Sequence, residues 1–335
     1  MDSMPAGKQS ASLRTVSEAL NDSMRRVEDD LTGICTDLPQ GVSEPVGQLI
    51  SAGGKRARPL VCILSFLSMD GDTSSLPLSV ATASELIHTA TLLHDDVVDE
   101  GEWRRGAPTA RLKWGNASAV ISGDYLLALA LRRVTEYGNR EIVSALVHVL
   151  HDMAAAEALQ LTLRGSVKIR EQDYWNIVRG KTARLFTWCA ESGATAAGAS
   201  METVKTFVEF GEAIGTCFQV IDDVLDLRGD TQTVGKSVLA DVSEGKLTLP
   251  VILAIKEKPG LADLIKKASD GSGPPESEVL DEIRTQVVSS GGIEKALSSA
   301  DSYSTKAMNA LMQLPATPAR DGLKYLTDLL LKRTS

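Results

Sequence analysis

The sequence predicts an all-α protein, a single-domain bundle of ten or more helices. Apolar residues recur every three or four positions along most of the 335 residues, which is the spacing of a helix with one buried face. Glycine-containing turns such as those at 137–139 and 291–292 end the periodic segments, as is typical of helix C-termini. Because no alternating apolar and polar run reaches a useful length, we expect no extensive sheet.

The helical pattern can be followed in order along the chain. It runs over residues 13–31, 57–69, 80–99, 117–136, 140–164, 171–192, 201–227, 250–257, 277–290, 293–313 and 318–332. Pro77, Pro250 and Pro318 stand near segment starts, where a helix tolerates the missing N–H of proline. The Ser-, Gly- and Pro-rich stretch 269–278 is expected to be a surface loop, and residues 1–12 are expected to be flexible. The sequence therefore predicts one domain over residues 1–335.

The composition argues against several classes of protein. The chain has 44 acidic and 35 basic residues, whereas a nucleic-acid-binding domain normally has a basic excess. Its four cysteines are far apart and form no CxxC pair, which favours reduced core thiols over disulfides or a zinc site. The first twelve residues lack the apolar core of a signal peptide, and the apolar stretch 125–131 is shorter than the ~20 residues that cross a bilayer. We expect a cytoplasmic protein without a transmembrane segment.

Two acidic motifs of the form DDxxD interrupt otherwise apolar helices. Asp95, Asp96 and Asp99 form the first, and Asp222, Asp223 and Asp226 form the second. The outer two Asp residues of each motif are one turn apart on one helix face, near a C-terminus, where the macrodipole disfavours anions. A solvated helix end would explain one such motif. Two of them indicate compensating cations, and oxygen ligands without Cys or His favour Mg²⁺, which bridges carboxylates to substrate phosphates.

Short basic motifs accompany the acidic ones. They are GGKRARP at 53–59, Arg104-Arg105 after the first acidic motif, GKTA at 180–183, and Lys236 and Lys246 beyond the second acidic motif. Each alone is commonly surface charge. The first is the most suggestive, because a helix start offers unpaired N–H groups and guanidinium groups bind diphosphate through paired hydrogen bonds. Together the motifs predict two phosphate-bearing ligands, one held through metal and one held by Lys and Arg.

At these motifs the sequence resembles the trans-type polyprenyl diphosphate synthases, and most closely the bacterial octaprenyl-type enzymes. The resemblance runs from GGKRARP through ELIHTATLLHDDVVDEGEWRRG at 85–106, GDYLL at 123–127 and GKTA to FQVIDDVLD at 218–226 and GKSVLADVSEGKLTLP at 235–250. It implies an isoprenoid-synthase fold, a helical bundle in which the two acidic helices face each other across a central cavity. It also implies a homodimer.

The resemblance further implies roles for individual residues. The metal ligands around the allylic diphosphate would be Asp95, Asp96, Asp99, Asp222, Asp223 and Asp226. All of these except Asp226, together with Lys181, would be catalytic. The residues that contact the allylic diphosphate or order the lid over it would be Arg104, Lys181, Thr182, Gln219, Lys236 and Lys246. Those that bind isopentenyl diphosphate would be Lys55, Arg58, His88 and Arg105, with Arg56 adjacent to them. A lone His on an apolar helix is commonly a core residue, so the role of His88 rests on the resemblance.

The implied reaction is ionisation of the allylic diphosphate, condensation with isopentenyl diphosphate and loss of a proton. Short-chain enzymes of this kind often carry aromatic residues four and five positions before the first Asp, where this chain has Thr91 and Ala90. One helical turn of about 5.4 Å is near the length of an isoprene unit, so these small residues predict a medium-to-long product such as octaprenyl diphosphate. Ile87, Leu126 and Leu127 are expected as deeper stops. Alternatively, Ala90 and Thr91 only allow close helix packing.

Four other functions stay open at this point. A short-chain farnesyl or geranylgeranyl diphosphate synthase would share the motifs and differ in pocket depth. A class I terpene cyclase would share the first acidic motif and usually carry an Asn/Ser/Glu triad at the second. An HD-type metal phosphohydrolase is suggested by His94-Asp95 but needs further metal-ligating histidines. A regulatory subunit of a heteromeric synthase would generally lack acidic motifs, and both are intact here.

Overall fold

Helices make up most of the computed structural model, which describes the backbone of residues 6–228, 239–269 and 277–332 and side chains from residue 16 onward within these ranges, except those of Ser269 and Ser277. The helices are α1 (Ala6–Thr36), α2 (Ser43–Ser51), α3 (Ala57–Leu67), α4 (Leu78–Val98), α5 (Ala110–Tyr137), α6 (Arg140–Leu163), α7 (Glu171–Val178), α8 (Arg184–Ala196), α9 (Met201–Arg228), α10 (Ala240–Ser243), α11 (Leu249–Glu257), α12 (Gly260–Ser269), α13 (Ser277–Ser289), α14 (Gly292–Met312) and α15 (Pro318–Lys332). A 3₁₀ turn (Thr73–Ser75), a π-helical segment (Arg179–Ala183) and two strands, β1 (Trp103–Arg104) and β2 (Ala107–Pro108), complete these elements.

The all-α prediction is confirmed; the bounds of α4, α6 and α9 agree with the apolar periodicity to within two residues, whereas α1 and α5 extend well beyond the predicted 13–31 and 117–136. The pattern does not predict α2, α10 or α12. The first of these is nine residues long and contains Pro45 and Gly47, and α10 has only four residues. Pro and Gly within α2 are typical of turns, and the single turn of α10 is too short for a helical period to be distinguished from irregular structure. Helix α12 ends at Ser269 and α13 begins at Ser277, so most of the predicted surface loop lies outside the described residues. Of the first twelve residues, expected to be flexible, 6–12 belong to α1.

The GKTA motif lies in the π-helical segment Arg179–Ala183, between α7 and α8. The sequence predicts one continuous helix over 171–192, and the structure divides it at this point. Gly180 fits against α6 so closely that an added Cβ would lie 2.5 Å from the Ala156 Cβ and 2.9 Å from the Asp152 carbonyl oxygen. Single π turns inside helices are rare and occur frequently at functional sites. Here the turn allows the backbone of Gly180 to lie directly on α6.

The described chain divides into two compact units, each with its own core. The first comprises Met1–Val147, Leu185–Gly211 and Met308–Leu326, and the second comprises His148–Arg184, Glu212–Ala307 and Thr327–Ser335. The core of the first unit includes Phe66, Leu86 and Trp188, all fully buried, and α4 packs along α5 within it. The core of the second unit is formed by apolar residues of α9, α11 and neighbouring helices, among them Val220 and Val251. A single domain over the whole chain stays a prediction.

One helix differs in character from the others. By length and composition, α6 is apolar enough to cross a bilayer, a property that no long uninterrupted apolar run in its sequence reveals. Only 28% of its most apolar window is buried inside the chain, and Val147 and Leu161 are 54% and 55% exposed. The four cysteines, by contrast, agree with the prediction: all are free thiols, three of them buried and Cys35 half-buried.

Candidate active site

The first acidic motif forms the end of α4, in the first compact unit. Val98 is the last helical residue and Asp99 is the C-cap. Asp95 and Asp99 are half-buried, whereas Asp96 is only 2% exposed. The Nε of Arg104 donates a hydrogen bond of 2.7 Å to the Oδ1 of Asp96. The structure therefore separates the motif into an outer pair, one helical turn apart, and a buried middle carboxylate that is paired with an arginine.

The arginine pair after this motif lies in a hairpin that the sequence does not predict. Strands β1 and β2 are two residues long and pair Arg104 with Ala107, so they are too short to show an alternating pattern. Arg105 and Gly106 form the turn with φ values of 52° and 76°, a left-handed pair typical of tight hairpins. While Arg104 reaches Asp96, the Arg105 guanidinium donates to the carbonyl oxygen of Gly53. The hairpin thereby connects the acidic motif to the GGKRARP loop.

The basic residues of the first unit converge on His88, two helical turns before Asp95. Burial lowers the pKa of His88 well below its usual range, because it disfavours the charged ring. Positive charge lowers this pKa further, and it comes from Arg58, Arg105, Arg104 and Arg56. The guanidinium of Arg58 also lies 4.9 Å from the centre of the Phe186 ring. A neutral imidazole surrounded by arginines is a setting that attracts an anion and offers it a hydrogen-bond donor. Lys55 is exposed in the same loop.

Arg56 differs from its basic neighbours because its contacts are internal. It is the N-cap residue of α3, in a left-handed conformation with a φ of 46°, and it is 6% exposed. Its guanidinium donates hydrogen bonds to Glu28 at 2.7 Å, to Glu85 at 3.0 Å and to the Ile50 carbonyl at 3.1 Å. We therefore interpret Arg56 as the residue that fixes the GGKRARP loop.

The second acidic motif lies near the end of α9, in the second compact unit, and it shows the same division. Asp222 and Asp226 are half-buried, and Asp223 is 3% exposed. The Tyr174 hydroxyl donates to Oδ2 of Asp223 at 2.7 Å, and Nε2 of Gln219 donates to Oδ1 at 2.9 Å. The Oε1 of Gln219 accepts a hydrogen bond of 2.7 Å from the Thr182 hydroxyl. Neutral donors thus hold this buried carboxylate, where an arginine holds Asp96.

This environment has an electrostatic consequence for Asp223. Burial raises the pKa of its carboxyl group to about 8, and the negative charges of Asp241 and Asp222 act in the same direction. The hydrogen bonds from Tyr174 and Gln219 oppose the rise without cancelling it. A cation bound beside this motif would lower the pKa of Asp223 again, because it favours the charged carboxylate.

Two of the predicted lysines are held in ion pairs. Lys181 Nζ lies 2.5 Å from the Glu157 carboxylate and 3.0 Å from Oε1 of Gln160, both on α6. Lys246 Nζ lies 3.0 Å from Glu244. The third predicted lysine, Lys236, lies outside the described residues. In the described structure, α6 and a neighbouring loop residue supply the negative charge that holds these lysines.

The residues predicted to limit product length lie on α4 and α5. Ala90, Ile87 and Leu126 are fully buried, and Thr91 and Leu127 are half-buried. The Thr91 hydroxyl donates to the carbonyl oxygen of His88 at 2.8 Å, within its own helix. Small side chains therefore occupy the turn before the first acidic motif, as expected, with larger aliphatic side chains buried nearby in the same pair of helices.

The donor set fits a divalent ion that is shared with a ligand. Among the described residues, no three His, Cys, Asp or Glu side chains converge on one point. Each motif instead presents two half-buried carboxylates at i and i+4. Mg²⁺ commonly keeps several waters and binds one or two carboxylates together with substrate phosphates, so an incomplete cage of carboxylate oxygens is what such a site requires.

Sequence reasoning does not identify the partners of these motif residues. Tyr174 and Asp223 are 49 positions apart, and Lys181 and Glu157 are 24 apart, so no local spacing connects them. The one usable signal for Tyr174 is its place in the helix that leads into GKTA.

Comparison with known proteins gives a consistent result. Residues 39–287 match the model of a family described as polyprenyl synthetase. The chain is 36% identical over 287 residues to an octaprenyl diphosphate synthase of Escherichia coli (strain K12), with 85% of this chain and 88% of the relative covered. It is 33% identical over 323 residues to heptaprenyl diphosphate synthase component 2 of Geobacillus stearothermophilus, with 96% and 99% covered. A solved decaprenyl diphosphate synthase of Rhodobacter capsulatus superposes with a TM-score of 0.86 at 33% identity, covering 96% of this chain and 99% of that chain.

The burial of Asp223 predicts a pH dependence of stability in the metal-free protein. Because its pKa is raised to about 8 in the folded state, its stabilising contribution is full below the unfolded-state pKa of ~4 and is lost as the pH rises through the folded-state value. The original protein should lose stability between pH 5 and pH 8, whereas Asp223→Asn should not. The effect of Asp223→Asn on the free energy of unfolding should therefore be more stabilising at pH 8 than at pH 5 by about 1 kcal/mol or more, which corresponds to ~2–4 °C in Tm. Thermal unfolding in EDTA at both pH values measures this difference.

The matched control is Asp281→Asn, on the exposed surface of α13. It should leave the difference in Tm between pH 5 and pH 8 as in the original protein. Parallel pH profiles for Asp223→Asn and the original protein would contradict the prediction.

Proposed function

The chain belongs to the polyprenyl synthetase family, and we propose that this trans-prenyltransferase makes a medium-to-long all-trans polyprenyl diphosphate such as octaprenyl diphosphate. Prenyl diphosphate synthases join isopentenyl diphosphate to an allylic diphosphate. The observation that supports a longer product is the absence of a large side chain at Ala90 and Thr91, one turn before the first acidic motif. The alternative is a short-chain farnesyl or geranylgeranyl diphosphate product.

We assign the isopentenyl diphosphate to the basic residues of the first unit. Arg58 and Arg105 offer guanidinium groups, and Lys55 offers an exposed ammonium group in the loop before α3. Because the pKa of His88 is lowered by burial and by these arginines, the ring stays neutral and donates a hydrogen bond from one nitrogen. The contact of Arg105 with the Gly53 carbonyl would then be exchanged for a stronger, charge-assisted contact with the diphosphate.

We assign the allylic diphosphate to the acidic motifs and the cations associated with them. The cations are Arg104, Lys181, Lys236 and Lys246, with Thr182 and Gln219 as neutral hydrogen-bonding groups. Arg104 and Lys181 are paired with Asp96 and Glu157 at 2.7 and 2.5 Å. These pairs keep the cations in place before substrate arrives, and a diphosphate with several charges can compete with a single carboxylate for them.

Enzymes of this family use a divalent metal, and we propose that the outer carboxylates of each motif bind Mg²⁺: Asp95 and Asp99 in the first motif, and Asp222 and Asp226 in the second. When bound, it supplies a Lewis acid that stabilises charge on the departing diphosphate. The basic residues provide preorganised stabilisation of the same charge. In the reaction the allylic C–O bond breaks, a C–C bond forms with the double bond of isopentenyl diphosphate, and a proton is lost to the released diphosphate.

The product length can be measured directly. Incubation of the purified chain with labelled isopentenyl diphosphate, an allylic primer and Mg²⁺ should give products longer than the C20 compound, and EDTA should abolish them. Thin-layer or mass-spectrometric analysis of the dephosphorylated products identifies their length. Products that stop at fifteen or twenty carbons would establish the short-chain alternative instead.

A bulky residue at position 90 should shorten the product. Ala90 is fully buried in α4, and Ala90→Phe would place a ring in the volume that we propose the growing chain occupies. The main product should lose one or more isoprene units while Tm falls by no more than a few degrees. Ala90→Ser, a change of nearly the same size, is the control and should keep the original product distribution. An unchanged distribution in a folded Ala90→Phe variant would show that Ala90 serves only helix packing.

We propose a cytoplasmic homodimer in which α5 and α6 take part in the subunit contact. On α5, Leu112, Val120 and Ile121 are 50%, 38% and 58% exposed, and on α6 Val147 and Leu161 are exposed as well. Only 28% of the most apolar window of α6 is buried within the chain. Exposing this apolar surface to water is unfavourable, and a second copy of the chain would cover it. Heptaprenyl diphosphate synthase component 2, one of the relatives, is named as part of a larger assembly, so a different partner chain is the alternative.

The oligomeric state tests this proposal. Light scattering coupled to size-exclusion chromatography should give twice the monomer mass, and Val147→Glu should yield monomers with reduced activity. Met201→Glu, at a position that is 81% exposed on α9, is the control and should stay dimeric. A monomer that is inactive alone and gains activity with another chain from its host would favour the heteromeric alternative.

A further inference from the structure

The second compact unit contains a hydrogen-bonded chain that the assigned roles do not explain. It runs from Tyr174 on α7 to Asp223 on α9, and from Thr182 in the π-helical segment through Gln219 to the same carboxylate. The three contacts measure 2.7, 2.7 and 2.9 Å. Tyr174 is 4% exposed and Asp223 is 3% exposed, so two neutral side chains hold a carboxylate in the interior.

The contacts determine how Asp223 is oriented. Each of its oxygens accepts a hydrogen bond from a side chain of the same unit, one from α7 and one from the preceding turn of α9. Asp222 and Asp226 are half-buried on the same helix. The carboxylate of Asp223 is thus directed into the protein, and the two outer carboxylates of the motif are the ones that reach the surface of this unit.

Tyr174 is itself rigidly placed. At the start of its helix, the Asp173 carboxylate accepts hydrogen bonds from the backbone N–H and the guanidinium of Arg170. The Tyr174 ring packs edge-on against the Trp175 ring, with the ring centroids 4.9 Å apart. The Trp175 ring packs in turn against the Tyr303 ring, with a centroid distance of 5.4 Å. The hydroxyl therefore has a fixed position, and it determines where Oδ2 of Asp223 can lie.

The other branch is fixed in the same way. Gln219 uses both ends of its amide, with its oxygen toward Thr182 and its nitrogen toward Asp223. Since Thr182 and Lys181 are adjacent in the π-helical segment, this branch connects the GKTA motif to the second acidic motif. Buried polar networks in which every member is satisfied specify one arrangement of their elements.

We propose that Tyr174 is a positioning residue of the reaction, which anchors Asp223 and so sets the orientation of Asp222 and Asp226 toward the metal-bound diphosphate. The inference rests on the proposed metal role of this motif. Residues behind metal ligands orient them, and their loss typically costs 10–100-fold in metal affinity or activity. A tyrosine that only fills the core would affect folding stability and leave the metal requirement unchanged.

The test is Tyr174→Phe, which keeps the ring and removes the hydroxyl. The half-saturating Mg²⁺ concentration for product formation should rise about 10–100-fold. The increase in Tm produced by Mg²⁺ with inorganic pyrophosphate, which is independent of turnover, should shrink correspondingly. The KM for isopentenyl diphosphate, which we assign to the other unit, should change less than twofold. Tyr303→Phe, a partly buried tyrosine of the same aromatic cluster, is the matched control and should preserve all three quantities.

A double-mutant cycle separates positioning from a loss of packing. In the Asp223→Asn background, Tyr174→Phe should change the Mg²⁺ requirement less than twofold, because both changes act through one contact. Additive effects, or a folded Tyr174→Phe variant with the original Mg²⁺ requirement and pyrophosphate stabilisation, would overturn the inference. If Tyr174→Phe does not fold, Asp223→Asn is measured alone for its Mg²⁺ requirement and its stabilisation by Mg²⁺ with pyrophosphate. Unchanged values of both quantities would overturn the inference.

Failure of the proposed metal role would look different. In that case Asp222→Asn would also leave both the Mg²⁺ requirement and the pyrophosphate stabilisation unchanged. An impaired Asp222→Asn variant beside an unaffected Tyr174→Phe variant would reject the positioning role and leave the metal role standing.

Discussion

The burial of one carboxylate in each acidic motif is the constraint on which the rest of the site depends. Asp96 and Asp223 are removed from water near the C-terminal ends of their helices, where the macrodipole gives an anion no support. Each needs hydrogen-bond donors, and the fold supplies a hairpin arginine to Asp96 and, to Asp223, a tyrosine from α7 and a glutamine from the preceding turn of α9. The outer carboxylates of both motifs are thereby left at the surface of their own units.

The fold was largely predictable because helical periodicity is a local property of the sequence. Long helices such as α4 and α9 show it over many turns, and their bounds follow from it. The hairpin at 103–108 could not be predicted, since two-residue strands have no period, and α10 is a single turn. The π-helical segment could not be predicted either, because it coincides with the close approach of Gly180 to α6, a contact between residues distant in sequence.

The chemistry of the site divides in a similar way. The two DDxxD motifs indicate a metal ion, because acidic side chains attract cations. The basic motifs indicate a diphosphate, because Lys and Arg side chains attract anions. The residues that hold these side chains in place can be of many types. Glu157, Glu244 and Tyr174 are ordinary residues at unremarkable positions, and only the folded chain shows that they hold Lys181, Lys246 and Asp223. The sequence therefore indicates the candidate ligand-binding groups better than it indicates the residues that hold those groups in place.

The ion pair between Lys181 and Glu157 has a consequence for anion selectivity. A chloride ion that bound this lysine would compete with a carboxylate 2.5 Å away and with an amide oxygen 3.0 Å away. A multiply charged ligand that contacts several cations at once competes better than one monovalent charge. The resting ion pair thus favours multiply charged anions over monovalent ones at this lysine.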